Sequence, residues 1–534
     1  MKTCAMKIAV YSNGRLACQM TGIVLIGLIH LAASSKVHGE EPVIEPGKSG
    51  PVSALLLPDK KVCLENEFLR FVFDPEDSGA ASSIWFKLTG KELAICDTYG
   101  QRHFKAFRES LSIQRMREGR IDPLGRPYKL DRLEARDNQA VAQFSGFPYF
   151  APANATGISK AMSMVRIIKT YTLRAGSSKL DISIQAKNES DDPLPIALWV
   201  MSGLRVNESD SSCFAPYSRG TMMRSDPWVK GASSFLIVSR PPEPWTGAVG
   251  DDEERTTICV RAGQGKVDAI YNWLAKFTGF TLGFGTPEMD VAPGKALSIK
   301  YSFQASSGHK RLDGASDFLT GGISLDREKV IAGQALGFDL SVASALKTES
   351  SIRVSLLKLT DGRARTVQEY QLSLSPGKAL KKSGSITIPD EGTYVLSGDI
   401  KSSQGELHLE RPLTVGLSTE SYSLKRPSSA GRPFWSLRLE GKQPSWMRTC
   451  NRSVKHPMVP WNVPAADRKL KVLFIGNPGY TTGIFRDLAR RADAEWDFVN
   501  LSRVQAAAYV TKDSTDEPYR VLEQKSVEQK LKEM

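Results

Sequence analysis

A mainly β chain is expected, with one short α/β unit near its end. Long stretches alternate apolar and polar residues with period two, and helical periodicity is nearly absent before residue 470. At Leu470 the pattern switches to a buried strand, a Gly/Pro turn and a helical stripe. Length 534 allows for about three domains at roughly 150 residues each. With 41% hydrophobic and 24% charged residues, the composition is too apolar for a disordered chain.

Residues 1–39 read as a signal peptide. Lys2, Lys7 and Arg15 precede the apolar run 22–33, and Val37-His38-Gly39 resembles a small-x-small cleavage site before Glu40. Twelve apolar residues are too few for a bilayer core of about 30 Å, which needs about 20. The alternative is an uncleaved anchor. The expected location is secreted or periplasmic, with no stable membrane insertion after cleavage. Cleavage lowers the net charge from +13 to +9, and residues 421–471 alone hold eleven Lys/Arg against Glu440 and Asp467. The excess charge therefore belongs to a linker, which is either simply solvated or in contact with an acidic polysaccharide or surface. Nucleic acid is not an expected partner of an exported protein.

Five cysteines remain after cleavage: Cys63, Cys96, Cys213, Cys259 and Cys450. Their wide spacing excludes a disulfide-dense scaffold, and there is no C-x-x-C zinc spacing. One or two bridges among the first four, or buried free thiols, both fit. No metal and no cofactor is expected.

After a spacer at 40–52, the first large domain is placed at 53–306. Leu69, Phe71 and Phe73 alternate with Phe68, Arg70 and Val72; residues 165–173 and 180–184 repeat the pattern between turn-forming stretches. About 250 residues of this kind make a large sandwich or barrel. The run Glu65-Asn66-Glu67-Phe68-Leu69-Arg70-Phe71-Val72-Phe73, then Gly79 to Ile84 and the Thr89-Gly90-Lys91-Glu92 loop, resembles the opening hairpins of galactose mutarotase-like β-supersandwiches. The stretch from Lys169 to Ile184, leading to Asn188 and on to Trp199, is similar to the mid-domain hairpin of the same superfamily. The resemblance covers about 60–305 and implies carbohydrate recognition on a concave sheet, in some members with epimerase, lyase or hydrolase activity. The family's paired histidines are not matched, because His103 is the one histidine in this domain. A mutarotase assignment thus lacks a general acid/base group.

Residues 318–418 form a second β unit. Leu336, Phe338, Leu340 and Val342 alternate, as do Ile352, Val354 and Leu356, then Tyr370, Leu372 and Leu374, with Ile386 and Ile388 following. Asp390-Glu-Gly392-Thr-Tyr394 resembles the corner of immunoglobulin-like domains, in which a tyrosine hydroxyl ties to nearby backbone. Residues 419–468 form a basic linker containing Trp435, Trp446 and Trp461, which fits extended chain packed across a neighbour. Residues 469–534 begin as strand, turn, helix (482–492) and strand (496–501). This order is similar to the first β-α-β of class I glutamine amidotransferase-like, flavodoxin-like domains. The family's nucleophilic Cys and its His are not matched after Leu501, so this α/β unit is expected to be incomplete.

The fold class is therefore a large antiparallel β-supersandwich, an Ig-like β-sandwich and a partial α/β (flavodoxin-like) unit. Candidate carbohydrate-binding residues are Arg102, His103, Trp199, Trp228 and Trp245, since a sugar site combines flat apolar faces with a few polar anchors. Trp228 and Trp245 stand in polar, Pro-rich sequence and are expected to be exposed; Trp273 is a further aromatic candidate. The acidic run 251–254 is expected to be a solvated loop rather than a glycosidase pair. No catalytic residue is named. The favoured reading is an exported multidomain carbohydrate-binding protein. The alternatives are a polysaccharide lyase or hydrolase in the large domain, and a structural envelope protein.

Overall fold

The computed structural model describes residues 43–95, 105–112, 126–149, 157–206, 211–218, 221–225, 234–239, 241–264, 267–275, 279–327, 330–359, 362–415, 454–455, 471–476 and 495–500. The expected mainly β architecture is what folds. One α-helix, Gly157–Met162, occurs among the described residues, and nearly every strand pairing is antiparallel.

An eleven-stranded sheet runs from Val43–Glu45 through Lys129–Arg136, Gln139–Gly146, Val165–Arg174, Lys179–Asn188, Ala296–Ser306, Thr257–Gln264 and Trp245–Gly250 to its far edge. At that edge Val454–Lys455, from the basic linker, pairs with Thr221–Ser225. Two smaller sheets face it. One is built from the hairpins between Gly47 and Glu92; the other joins Ser234–Ser239, Ala269–Ala275, Gly279–Gly285 and Leu194–Leu204, with Arg108–Ser112 alongside. The segment expected as a spacer contributes two short strands, Val43–Glu45 and Gly47–Ser49.

Period-two patterning explains the shared core. Leu69, Phe71 and Phe73 point inward, as do Ile167, Tyr171 and Leu173, and Phe73 stacks on Tyr171 with ring centroids 4.1 Å apart. Two asparagines of the opening and mid-domain patterns lock the layers. Asn66 donates to the Arg174 and Ser177 carbonyls at 2.6 and 2.7 Å and accepts from the Phe68 and Leu69 amides. Asn188 donates to the Asp192 and Val291 carbonyls at 2.7 and 2.8 Å. Both are buried, and such full satisfaction is what lets an amide side chain sit there.

The second unit packs Leu319–Leu325, Ala335–Ser344 and Leu380–Thr387 against a sheet ordered Ala364–Leu374, Thr348–Lys358, Gly392–Ser402 and Gly405–Val415. The alternating residues expected to line its core do so, with Tyr370 half-buried at the margin. Tyr394 Oη donates to the Asp390 carbonyl at 3.1 Å, the expected corner tie. His309 is wholly buried between Ser341 Oγ at 2.9 Å and Thr320 Oγ1 at 3.2 Å, and burial pushes its pKa down to about 3. Further along, Lys471–Gly476 and Glu495–Asn500 pair in parallel, as a β-α-β crossover requires. The helix expected between them lies outside the described residues.

The two β units share an interface. Phe214, Trp245, Val249 and Cys259, on the outer face of the eleven-stranded sheet, form one cluster with Leu312 and Ala315. Gly247 has no side chain because Leu312 occupies the space: a Cβ there would lie 2.5 Å from Leu312 Cδ1 and 2.7 Å from the Ile258 carbonyl. The Ser178 amide donates to the Ala345 carbonyl, and Ser307 exchanges backbone hydrogen bonds with Gly377 and Ala379. The Lys179 ammonium lies 4.2 Å from the centre of the Phe318 ring.

Cys63, Cys213 and Cys259 are buried free thiols, which settles their part of the open question, while Cys96 and Cys450 lie outside the described residues. Burial raises all three pKa values, that of Cys259 to about 12, so these sulfurs are inert side chains of the core.

Candidate functional site

The Arg108–Ser112 strand carries polar groups on both of its sides. Ser110 is opposite Trp199 and Arg108 opposite Met201, while Trp199 and Met201 also stand opposite Gly285 and Gly283. Directly opposed residues share a face. The register continues outward, with Ala269 opposite Gly285, Tyr271 opposite Gly283 and Trp273 opposite Thr281. One sheet face thus unites Arg108, Ser110, Trp199 and the bare backbone of Gly283 and Gly285. The Trp199 ring lies across Gly285, where an added Cβ would come within 3.1–3.3 Å of three ring atoms. Trp199 is half-buried, whereas Arg108 and Ser110 are buried. Ser110 Oγ has no hydrogen-bond partner among the described residues.

The opposite side of the same strand points into the core. Glu109 meets Lys169, and both side chains are fully enclosed. The Lys169 ammonium touches Glu109 Oε2 as a charge contact rather than an aligned hydrogen bond, and Tyr128 Oη donates to Glu109 Oε1 at 2.9 Å. Lys169 also donates to the carbonyls of Ser78 at 2.9 Å and Phe107 at 3.1 Å. Ser78 and Phe107 both have left-handed backbone, with φ of 57° and 60°. Such strain persists only where surroundings impose it, and here two carbonyls are turned onto one buried cation. Burial lowers the Lys169 pKa against the pull of Glu109. Tyr128 is held well above its ordinary value, by burial first and by Glu109 second. Nearby, burial works to depress the Lys105 pKa, but Asp77 and Asp74, each 2.9 Å away, outweigh it and raise the value.

These two sides differ in what they can do chemically. The enclosed Glu109–Lys169–Tyr128 set fixes the position of the strand. The Trp199 side offers a half-buried aromatic plate next to a buried guanidinium and a buried hydroxyl without a hydrogen-bond partner among the described residues, groups that suit a flat polyhydroxylated ring. No group of three or more His, Cys, Asp or Glu side chains placed to hold a metal occurs among the described residues.

Of the residues named from sequence, Trp199 is on this face. Trp245 is not: it is 0% exposed, its indole N–H donates to Glu243 at 2.9 Å, and its ring packs in the cluster with Leu312 and Ala315. The expected exposure of Trp245 is therefore corrected. Its Pro-rich flank suggested a surface loop, but residue 245 begins a strand whose outer side the following unit covers. Arg102, His103 and Trp228 lie outside the described residues. The acidic run 251–254 is a turn, with Asp252 accepting from the Thr256 amide and pairing with Lys91.

Arg108, Ser110, Glu109 and Lys169 went unnoticed in the sequence, although two signals were available. Lys169 interrupts the inward row Val165, Ile167, Tyr171, Leu173, which places a charge where only a partner could hold it. Gly279, Thr281, Gly283 and Gly285 leave one side of a strand almost without side chains.

No family model matches the chain, and no curated protein matches it. Solved structures similar to it include a protein from Synechocystis sp. PCC 6803, at 11% identity over 46% of this chain and 96% of that one, with a TM-score of 0.36. A galactose mutarotase-like protein from Clostridium acetobutylicum is 8% identical over 48% of this chain and 98% of its own, with a TM-score of 0.34. Another, from Lactobacillus casei ATCC 334, is 10% identical over 46% and 99%, with a TM-score of 0.33.

Proposed function

We propose that the chain is an exported carbohydrate-binding protein whose contact surface is the Trp199 face of the first β unit. The observation that carries this reading is the half-buried Trp199 ring laid across Gly285, beside Arg108 and the Ser110 hydroxyl, which meets no hydrogen-bond partner among the described residues. A pyranose stacks its C–H face on such a plate while its hydroxyls meet the polar neighbours. The opening and mid-domain sequence patterns support the same reading. Arg102 and His103, six and five residues before Arg108, and Trp228 are the further sugar contacts expected from sequence. In this proposal residues 1–39 direct export, residues 318–418 serve as an immunoglobulin-like spacer, and residues 469–534 open an amidotransferase-like unit.

A glycan array probed with the intact mature chain tests the proposal. Binding to at least one glycan is expected, and Trp199→Ala is expected to weaken it by at least about tenfold, or 1.4 kcal/mol. No binding to any glycan, or binding indifferent to Trp199, would sink the reading. N-terminal sequencing of exported material is expected to begin at Glu40.

A further inference from the structure

We infer that Trp85 is a second carbohydrate contact, an open platform for one neutral sugar ring of a polysaccharide, an inference that rests on the carbohydrate reading above. The ring lies on the outer face of the sheet built from the hairpins between Gly47 and Glu92, a different sheet from that of Trp199. On the Leu69–Asp74 and Ala80–Phe86 strands, Leu69, Phe71, Ile84 and Phe86 are buried in the core, so Arg70 and Trp85 point outward. Register sets Glu65, Arg70, Trp85 and Glu92 side by side in one row across four strands. Trp85 is 40% exposed there, more than Trp199 or Trp245.

Long charged side chains ordinarily lay their stems over an apolar neighbour. Around Trp85 each of them is engaged elsewhere. Arg70 hydrogen-bonds the sulfur of Cys63 on the Val62–Glu65 strand, one strand further from Trp85. The Lys87 ammonium is tied to Glu65 at 2.7 Å and to the Asn66 carbonyl at 2.6 Å. Glu92 accepts from the Ile84 and Ala94 amides at 2.6 and 2.9 Å and from Ser83 Oγ at 2.5 Å. The indole is thus left bare within a frame of fixed polar groups, in which Arg70 and Lys87 balance Glu65 and Glu92. An acidic polymer would meet the two carboxylates, so the frame suits a neutral ring. The open part of the indole is on the order of 100 Å². A protein partner covers about 800 Å² on each side; a single indole face matches one sugar ring.

The test is affinity electrophoresis of the full mature chain through gels containing soluble glucan, galactan, mannan, xylan or polygalacturonate. At least one of the four neutral polymers is expected to slow the chain, and Trp85→Ala to weaken that binding by about tenfold. Leu359→Ala, which removes an equally exposed apolar side chain from the second unit, is expected to behave as the parent. Because Trp85 points outward, its loss should leave the thermal melt in place; Trp85→Thr, a better strand former, serves if it does not. Weakening by Trp85→Ala together with indifference to Trp199→Ala supports the inference and sinks the Trp199 reading. Retardation unchanged in the Trp85 variants, or given only by polygalacturonate, overturns the inference; its loss in Trp199→Ala then leaves the carbohydrate reading standing. No retardation by any polymer overturns both.

Discussion

Replacing Lys169 by Met removes a cation that is fully enclosed with Glu109 and leaves the carboxylate with Tyr128 as its neutral donor. Breaking a buried ion pair from one side costs about 3–5 kcal/mol, because the remaining charge is stranded in low dielectric. The carbonyls of Ser78 and Phe107 lose their donor as well. Glu109→Gln keeps an acceptor for Tyr128 but strands the ammonium, so its cost is expected in the same range. The double variant Lys169→Met, Glu109→Gln removes both members of the pair, so neither strands the other, and is expected to lose only about 1–2 kcal/mol. With a urea dependence of about 3 kcal/mol per molar, each single variant lowers the unfolding midpoint by about 1–1.7 M and the double by well under 1 M. Urea titrations followed by tryptophan fluorescence read this directly. Two single losses that simply add in the double, or single variants within about 0.5 kcal/mol of the parent, would show that the two groups do not depend on each other.

Three further outcomes are expected. His309 takes no proton in the folded state until about pH 3, whereas its ordinary pKa is 6.5. Its contribution is complete above pH 6.5 and falls by about 1.4 kcal/mol per pH unit below it, roughly 5 kcal/mol by pH 3. In urea titrations across that range His309→Gln should flatten the slope, and an unchanged slope would place the acid sensitivity elsewhere. Gly247→Val drives a side chain into Leu312 and the Ile258 carbonyl, so a loss of about 1–3 kcal/mol and faster proteolysis near residue 312 are expected. Tyr394→Phe deletes one hydrogen bond to the Asp390 carbonyl and should destabilise the second unit by about 1 kcal/mol in a thermal melt.

The mainly β architecture was readable because alternation is a local property: Leu336 to Val342 and Val165 to Leu173 each reveal their buried side from within one strand. The corner at Tyr394 was readable for the same reason, since its partner Asp390 is four residues away. The site was far less so. Ser110, Trp199 and Gly285 meet on one face only after strands distant in sequence are set in register, and a register between remote strands leaves no local trace. Trp245 misled because its sequence neighbours are polar, while the residues that cover it, Leu312 and Ala315, come more than sixty positions later. Lys169 was the missed opportunity, because a lysine in an inward row asks for an anion even before the anion is known.

The cluster around Trp245 has a practical consequence for anyone dividing the chain. Topology suggests a cut after Ser306, between the first β unit and the second. Such a fragment would lack Leu312 and Ala315 and bare Phe214, Trp245 and Val249 together, side chains that are at most 3% exposed in the intact chain. A contiguous apolar patch of that kind drives self-association. The excised domain would be expected to precipitate or to bind greasy surfaces indiscriminately, and a glycan screen performed on it would report that stickiness as affinity. The smallest piece worth assaying therefore runs on through the second unit, whose partnership with the first is energetic even where their topologies are separate.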